Sequence, residues 1–182
     1  METIESILKS RLSQTTLEDI IIPMNAYTAL SAIQTSGANP GYSLCIGFEE
    51  SMANHVYMMD DDIYSVKSYN IKDANYLGHI LESKDLDGAI LIGKDGHMKH
   101  SGMYYGHDPK VTLLQIGKYE AKPMWKLFGF SRPVCTRHIS AINGSYHMPT
   151  TLVFVLSEEH NQIRVFHRGK IIYSPVDTEI TA

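Results

Sequence analysis

The chain has few cysteines and no long hydrophobic run. Its 182 residues include only two cysteines, Cys45 and Cys135, which lie far apart in the sequence. We therefore expect reduced thiols in a cytoplasmic protein, rather than a disulfide or a cysteine-based zinc site. No apolar run approaches the ~20 residues that cross a bilayer, and the sequence shows no secretory signal. We expect a soluble protein without a membrane partner.

The chain also has no excess of positive charge. The formal net charge is -4 and the isoelectric point is about 6.1. Because a phosphate backbone is bound by a basic surface, this balance argues against a nucleic-acid partner. In contrast, hydrophobic residues make up 43% of the chain, which is ample for the core of one folded body.

The first part of the chain has the pattern of two helices. Between residues 4 and 12, apolar side chains recur three and four positions apart, and Thr3 is placed to cap this helix. A second helix is predicted from about Asn25 to Ile33, with Gly37 ending it. We therefore predict a helical N-terminal extension over residues 1–41.

The rest of the chain alternates between helix and strand patterns. From Tyr42 to Phe48 the apolar residues have a period of two, which is typical of a strand with one buried face. Asp73 is placed to cap a short helix. Further strands are predicted at residues 87–92, 111–116, 151–156, 162–167 and 171–173. This order predicts an α/β fold with a mixed sheet surrounded by helices.

Three short polar segments adjoin these elements and carry candidate chemistry. The first is Asp87-Gly88-Ala89, which opens an apolar strand. An aspartate in such apolar surroundings requires a metal, a cation or backbone donors, and a glycine lets the backbone approach a ligand. The alternative is an ordinary Asp-Gly turn.

The second segment, Thr136-Arg137-His138, stands before a helical stretch. If Thr136 caps that helix, free N–H groups, a guanidinium and an imidazole together form an anion site. The alternative is a capped helix whose arginine pairs with a structural carboxylate. The third segment, Ser157-Glu158-Glu159, follows a strand, where α/β sheets assemble their sites, and its alternative is a solvated loop.

Two other groups favour a structural interpretation over a metal site. Asp60-Asp61-Asp62 is predicted to be an exposed turn, because consecutive carboxylates point in different directions. His97, His100 and His107 are the closest of the nine histidines. If residues 97–103 are extended, His97 and His100 face opposite sides, so a surface hairpin is the favoured interpretation.

In this order and with these flanks, the three segments resemble the diadenylate cyclase domain, a family that makes cyclic di-AMP from two ATP molecules. The matching stretches are Leu86–Ile92, Thr136–His138 and Val155–Glu159 with Asn161-Gln162-Ile163 after it. The chain resembles the small soluble forms that carry a helical N-terminal extension. The resemblance implies a nucleotide-binding domain over residues 42–182, ATP at the edge of each protomer, and homo-oligomers built from face-to-face dimers.

The resemblance also implies roles for the matched residues. Asp87 would bind a catalytic Mg²⁺ or Mn²⁺ and help activate a ribose 3′-hydroxyl, with Arg137 and His138 completing the catalytic set. Gly102-Met103-Tyr104 would receive adenine, and Glu159 follows the last implied site residue in the sequence. The implied nucleotide-binding residues are Gly88, Ala89, Gly102, Met103, Tyr104, Thr136, Arg137, His138, Ser157 and Glu158.

The chain departs from the family pattern around the second segment. Ile139 stands where the family has a second arginine, for which Arg132 is a candidate replacement, and Cys135 stands where it has a glycine. The long stretch 103–135 includes residues 122–128, which we predict to be a lid or an assembly surface. Three functions remain open: a symmetric cyclase, a sensor of ATP or cyclic di-AMP that has lost catalysis, and a cyclase with altered nucleotide choice.

Overall fold

A computed structural model describes residues 3–37 and 41–179, which fold into six α-helices, two short 3₁₀ segments and one sheet. The helices are α1 (Ile4–Leu12), α2 (Ile21–Thr35), α3 (Tyr76–Leu81), α4 (Pro109–Gln115), α5 (Met124–Leu127) and α6 (Thr136–His147). The strands are β1 (Tyr42–Phe48), β2 (Val56–Met58), β3 (Ala89–Gly93), β4 (Met98–Tyr105), β5 (Leu152–Leu156), β6 (Ile163–His167) and β7 (Lys170–Tyr173). The 3₁₀ segments are Glu50–His55 and Asp177–Glu179.

The seven strands form one mixed sheet in the order β2-β4-β3-β1-β5-β6-β7. β1 and β3 are parallel, whereas the other neighbouring pairs are antiparallel. This arrangement confirms the predicted α/β class with a mixed sheet. At one end of the strands, it also brings the first residues of β1 and β3 next to the last residues of β4 and β5.

Helices cover both faces of the sheet. On one face, Leu30 of α2 belongs to the same apolar cluster as Leu44 of β1. On the other face, Ile142 of α6 packs in a cluster with Cys45. Because both faces are covered, β1 is buried along its whole length, and the prediction of a single buried face was wrong.

Both predicted N-terminal helices are present. The Thr3 hydroxyl accepts a hydrogen bond from the Ser6 N–H at 3.2 Å, as expected of a helix cap. α2 begins at Ile21 rather than near Asn25, because Pro23 falls in its first turn, where a missing N–H costs nothing. The helices share their apolar cluster with the sheet. The division of the chain at residue 41 stays a prediction.

The chain between β3 and α6 departs most from the predicted pattern. The strand predicted at residues 111–116 is the helix α4. Asp108 accepts a hydrogen bond from the Lys110 N–H at 2.9 Å and Pro109 is the first helical residue. This pair starts a helix, and it outweighs the preference of the following β-branched residues for strands.

The predicted cap of the short helix before β3 was also wrong. α3 begins after Asn75, while Asp73 accepts from the Asn70 N–H instead of capping the helix.

Candidate functional site

A cavity of about 280 Å³ lies at one end of the central strands, where β1 and β3 begin and β4 and β5 end. The topology of the sheet explains why it contains residues from distant parts of the chain. The first predicted segment precedes β3 and the third follows β5, and the strand between them in the sheet, β1, is parallel to one and antiparallel to the other. The second segment reaches the same edge because α6 begins there.

All three predicted segments contribute to the lining of this cavity. The predicted residues that line it are Asp87, Gly88, Ala89, Met103, Tyr104, Thr136, Arg137 and Glu158. Four further residues line it that the sequence did not single out for the site, namely Ser43, Tyr105, Cys135 and Ser140. Of the remaining predicted residues, Gly102 lines a small adjoining cavity together with Asp87.

Arg137 is the central charged group of the cavity. One of its terminal nitrogens, Nη2, lies 3.3 Å from Asp87 Oδ1, and the other, Nη1, lies 3.3 Å from Glu158 Oε1. The guanidinium therefore connects the first and third segments. Gly41 makes room for it, since a Cβ at that position would lie 1.7 Å from Nη1. The two carboxylates are well exposed, at 70% for Asp87 and 53% for Glu158.

The loop that carries Asp87 is held from two sides. Asp60 accepts a hydrogen bond from the Asp87 N–H at 2.9 Å, and this bond lowers the pKa of Asp60. Gly88 has a φ of 96°, and a Cβ there would lie 2.7 Å from the backbone of Gly102. The Asp87 loop is therefore held by the Asp60 carboxylate on one side and by close approach of the β4 backbone on the other. Within Asp60-Asp61-Asp62, Asp62 is also structural, because it accepts from the Ser101 N–H at 3.0 Å.

Cys135, rather than Thr136, precedes the first turn of α6. Thr136 is the first helical residue, and the Cys135 side chain makes no capping hydrogen bond, so the prediction that Thr136 caps the helix was wrong. Cys135 has φ -67° and ψ 165°, an extended conformation open to any residue. The backbone here therefore does not require the glycine of the family pattern. Thr136 and Arg137 present the N-terminal turn of α6 to the cavity.

The structure places His138 beneath the cavity lining, in contact with other protein groups. Its side chain is fully buried, with Nδ1 3.2 Å from Cys135 Sγ and Nε2 3.3 Å from Arg164 Nη1. Burial and the nearby positive charge of Arg164 lower the pKa of His138 to about 3. The imidazole is therefore neutral at pH 7. Its predicted contact with phosphate stays a prediction, and its position favours a supporting role.

Ser157 and Glu159 also lie away from the cavity lining. The Ser157 N–H donates to the Gln162 carbonyl at 3.0 Å and its hydroxyl accepts from the His160 N–H, which closes the turn after β5. Glu159 is exposed in that turn. Arg132, the candidate for the second arginine, donates to the Gln162 side chain and does not line the cavity. Ile139 packs against the apolar cluster under α6.

A buried ion pair behind His138 was not predicted. Arg164 of β6 and Glu179 are both fully buried, with Arg164 Nε 2.7 Å from Glu179 Oε2. Burial raises the pKa of Glu179, but hydrogen bonds from Arg164, Ser174 and Ser131 outweigh this effect and lower it to about 2. The sequence signal was an arginine in the middle of the apolar strand 163–167, where a cation requires a partner.

Tyr105 forms part of the apolar end of the cavity. Its hydroxyl lies 3.3 Å from the Ser43 hydroxyl, and burial raises its pKa well above the ordinary tyrosine value. The phenol therefore stays neutral at any physiological pH. Together with Met103 and Tyr104, it gives the cavity an apolar side, and the charged side is formed by the Asp87 and Arg137 segments.

The carboxylates of the cavity are suited to a hard divalent cation. Mg²⁺ and Mn²⁺ prefer oxygen ligands, and Asp87 and Glu158 supply carboxylate oxygens on either side of Arg137. Asp87 Oδ1 also accepts from the Gly88 N–H at 2.8 Å, which fixes the direction of the carboxylate. The donor set therefore fits such an ion, provided that the ion shares these carboxylates with Arg137.

Comparison with known proteins finds similarity in fold. No family model matches the chain, and no curated protein matches it. A hypothetical membrane spanning protein from Bacillus cereus has a similar structure, with 17% identity and a TM-score of 0.56. The match covers 84% of this chain and 62% of that one, so this chain spans less than two thirds of the Bacillus cereus protein.

DacA from Staphylococcus aureus, a diadenylate cyclase, has a TM-score of 0.53 at 18% identity, with 87% of this chain and 88% of DacA covered. These identities show a common fold and no more. The expected membership of the diadenylate cyclase family in its small soluble form is therefore corrected, because no family model matches the chain.

Over residues 3–37 and 41–179, none of the helices is both long and apolar enough to span a bilayer.

Proposed function

We propose that this protein is a diadenylate cyclase, which condenses two ATP molecules into cyclic di-AMP and two pyrophosphates. The observation that carries the proposal is the position of Arg137 between Asp87 and Glu158 at the start of a helix, in a cavity that also has an apolar side. The fold similarity to DacA supports the same reaction class. Nucleotide binding, metal binding and assembly are parts of the proposal.

The two sides of the cavity suit the two ends of a nucleotide. The apolar side, with Met103 and Tyr104, accepts the adenine ring. The guanidinium of Arg137 and the first N–H groups of α6 bind phosphate oxygens, because both present positive charge to an anion. Asp87 is placed beside that phosphate position and accepts the proton, or orients the oxygen, of a ribose 3′-hydroxyl.

In each half of the reaction, a 3′-oxygen forms a bond to the α-phosphorus of the other ATP. The bond between that phosphorus and the bridging oxygen breaks, pyrophosphate leaves, and the hydroxyl proton passes to a base. Asp87 would hold a Mg²⁺ or Mn²⁺ ion, which would supply positive charge to the phosphate oxygens and lower the pKa of the hydroxyl. Because each ATP attacks the other, we propose that two protomers meet face to face across a two-fold axis.

The test is incubation of the purified protein with ATP and Mg²⁺ or Mn²⁺, followed by chromatography of the nucleotides. We expect cyclic di-AMP from the native protein and at least about 100-fold less from Asp87→Asn, which keeps the size of the side chain but removes its charge. Asp85→Asn is the matched control, because Asp85 is an exposed aspartate in the same loop that does not line the cavity. Equal loss in both variants would contradict the role of Asp87.

A second candidate function is a sensor that binds ATP or cyclic di-AMP without turnover. It is favoured by Ile139, which packs against apolar residues and supplies no second guanidinium, and by Arg132, which is engaged with Gln162. Calorimetric titration with ATP and with cyclic di-AMP separates the two functions. Binding without product supports the sensor, and the absence of both binding and product removes both proposals.

A further inference from the structure

Three histidines from separate parts of the chain meet near the C-terminal end of α6. His55 ends a 3₁₀ segment, His107 follows β4, and His147 is the last residue of α6. One ring nitrogen of each lies within 4.8 Å of the ring nitrogens of the other two. We call this group the histidine cluster. It is distinct from the cavity, because the 12 residues of α6 separate Thr136 from His147 by roughly 16 Å.

The members of the histidine cluster contact one another directly. His55 Nδ1 lies 2.7 Å from His107 Nε2. The rings of His107 and His147 are stacked, with centroids 3.6 Å apart and planes 13° from parallel. Such close contact between three basic side chains is unfavourable if they are protonated, because like charges repel. The arrangement therefore disfavours protonation of His107 and His147.

The pKa values of His107 and His147 agree with this. Burial lowers the pKa of His147 to about 4, with a further contribution from the charges of His107 and His55. Burial, followed by the charge of His55, also lowers the pKa of His107. A neutral imidazole carries the nitrogen lone pair that a transition metal binds.

Neighbouring groups hold the cluster in position. The Thr112 hydroxyl of α4 lies 2.8 Å from His147 Nε2, which fixes the orientation of that ring. The Asn143 amide of α6 donates to the His107 carbonyl at 2.7 Å, which fixes the loop after β4. Outer partners on a ring nitrogen, such as Thr112 on His147, orient the histidines of metal sites. One of the three rings thus has an outer partner, and the backbone that carries a second ring is held in place.

We propose that the histidine cluster binds Zn²⁺ through one nitrogen of each of its three imidazoles, with water in the fourth position. Zinc prefers such nitrogen ligands, whereas the hard cations suited to Asp87 and Glu158 prefer oxygen. A tetrahedral zinc holds its nitrogens ~3.3 Å apart, which is within the 4.8 Å that spans the ring nitrogens here. All three residues are partly accessible, which allows an ion and a water to enter.

The test uses the full chain, freed of metal with a chelator and titrated with Zn²⁺ in a calorimeter. We expect one ion per chain, and an affinity lower by about 100-fold or more in His55→Gln and His147→Gln. His97→Gln is the matched control, since His97 is an exposed histidine paired with Asp95 outside the cluster. Asp87→Asn controls for binding in the cavity. Circular dichroism establishes that each variant is folded.

Two further measurements keep the proposal testable if a histidine variant does not fold. Thr112→Val preserves the shape of a buried side chain but removes the hydroxyl beside His147, and it is expected to weaken Zn²⁺ binding by about 10- to 100-fold. Co²⁺ in place of Zn²⁺ is expected to give the visible absorption of a tetrahedral site. The proposal is overturned if Zn²⁺ does not bind stoichiometrically, or if binding survives His147→Gln and is lost in His97→Gln or Asp87→Asn.

Discussion

Two arginines near the cavity show how the surroundings of one residue type change its role. Arg137 lies in the cavity, where its ion-pair contacts to Asp87 and Glu158 are both 3.3 Å and both carboxylates are exposed. Arg164 lies behind it, fully buried, and its contact to the equally buried Glu179 is 2.7 Å. The first arginine has longer contacts to exposed partners, and the second has a short contact that is shielded from solvent.

This difference separates a group that is available to a ligand from a group that belongs to the scaffold. A partly exposed ion pair contributes little free energy, so a phosphate can replace its carboxylates at small cost. A buried ion pair contributes little net stability either, but removing one partner leaves an uncompensated charge without water. Because Arg164 contacts His138 in the first turn of α6, the buried pair also supports the helix end that carries Arg137.

The largest expected effect comes from breaking the buried pair. Glu179→Gln removes the charge opposite Arg164 and is expected to lower the free energy of unfolding by about 3–5 kcal/mol. Urea denaturation measures this change. Glu50→Gln is the control, since Glu50 pairs with Lys99 at the surface at 3.2 Å and should cost no more than about 1 kcal/mol. Similar losses in the two variants would show that burial does not distinguish these pairs.

A smaller effect on stability, with a larger one on function, is expected at the exposed arginine. Arg137→Gln should reduce the formation of cyclic di-AMP by about 100-fold or more, because a charged phosphate contact is lost. The free energy of unfolding should change by less than about 1 kcal/mol, because both ion pairs of Arg137 involve exposed carboxylates. Product chromatography and urea denaturation of the same preparation test both parts. A loss of several kcal/mol would place Arg137 in the scaffold.

The third effect concerns pH. The folded protein keeps His138 neutral down to about pH 3, whereas an unperturbed histidine protonates near 6.5. The unfolded chain therefore binds the proton first, so this contribution to stability is complete above pH 6.5 and is lost as the pH falls toward 3. His138→Gln should reduce the slope of the unfolding free energy against pH by about 1.4 kcal/mol per pH unit in this window.

Denaturation curves between pH 6 and pH 4 measure this slope. The variant should keep a residual slope, because burial also lowers the pKa values of His107, His147 and His167. Identical slopes in the native protein and in His138→Gln would mean that the buried imidazole does not remain neutral. That result would also weaken the view of His138 as a neutral neighbour of Arg164.

The charged side of the cavity was predictable because its residues occur in short segments next to strands or at the start of a helix. Asp87 precedes an apolar strand, Glu158 follows another, and Arg137 opens a helical stretch, and such ends of elements form the sites of α/β sheets. The start of α4 also has a local signal, since Asp108-Pro109 is typical of a helix start, whereas the β-branched residues after it are typical of a strand. Local patterns thus carried most of the information about these elements.

The buried pair and the histidine cluster depend on contacts between distant parts of the chain. Arg164 is conspicuous in an apolar strand, but nothing in the sequence identifies Glu179 as its partner, because that contact follows from the path of the chain after β7. Proximity in the sequence grouped His107 with His97 and His100, whereas the fold brings it to His55 and His147. Sequence distance was therefore a poor guide for side chains outside regular patterns.

The contact between Gly88 and Gly102 has a consequence for substrate choice. Because Gly88 has no side chain, the backbones of the Asp87 loop and of the strand that carries Met103 and Tyr104 are in direct contact. The distance between the aspartate and the apolar side that is proposed to bind the base is therefore set by main-chain atoms. Under the proposed function, substitutions of Met103 or Tyr104 would change which base is preferred. The distance between the base and Asp87 would stay the same.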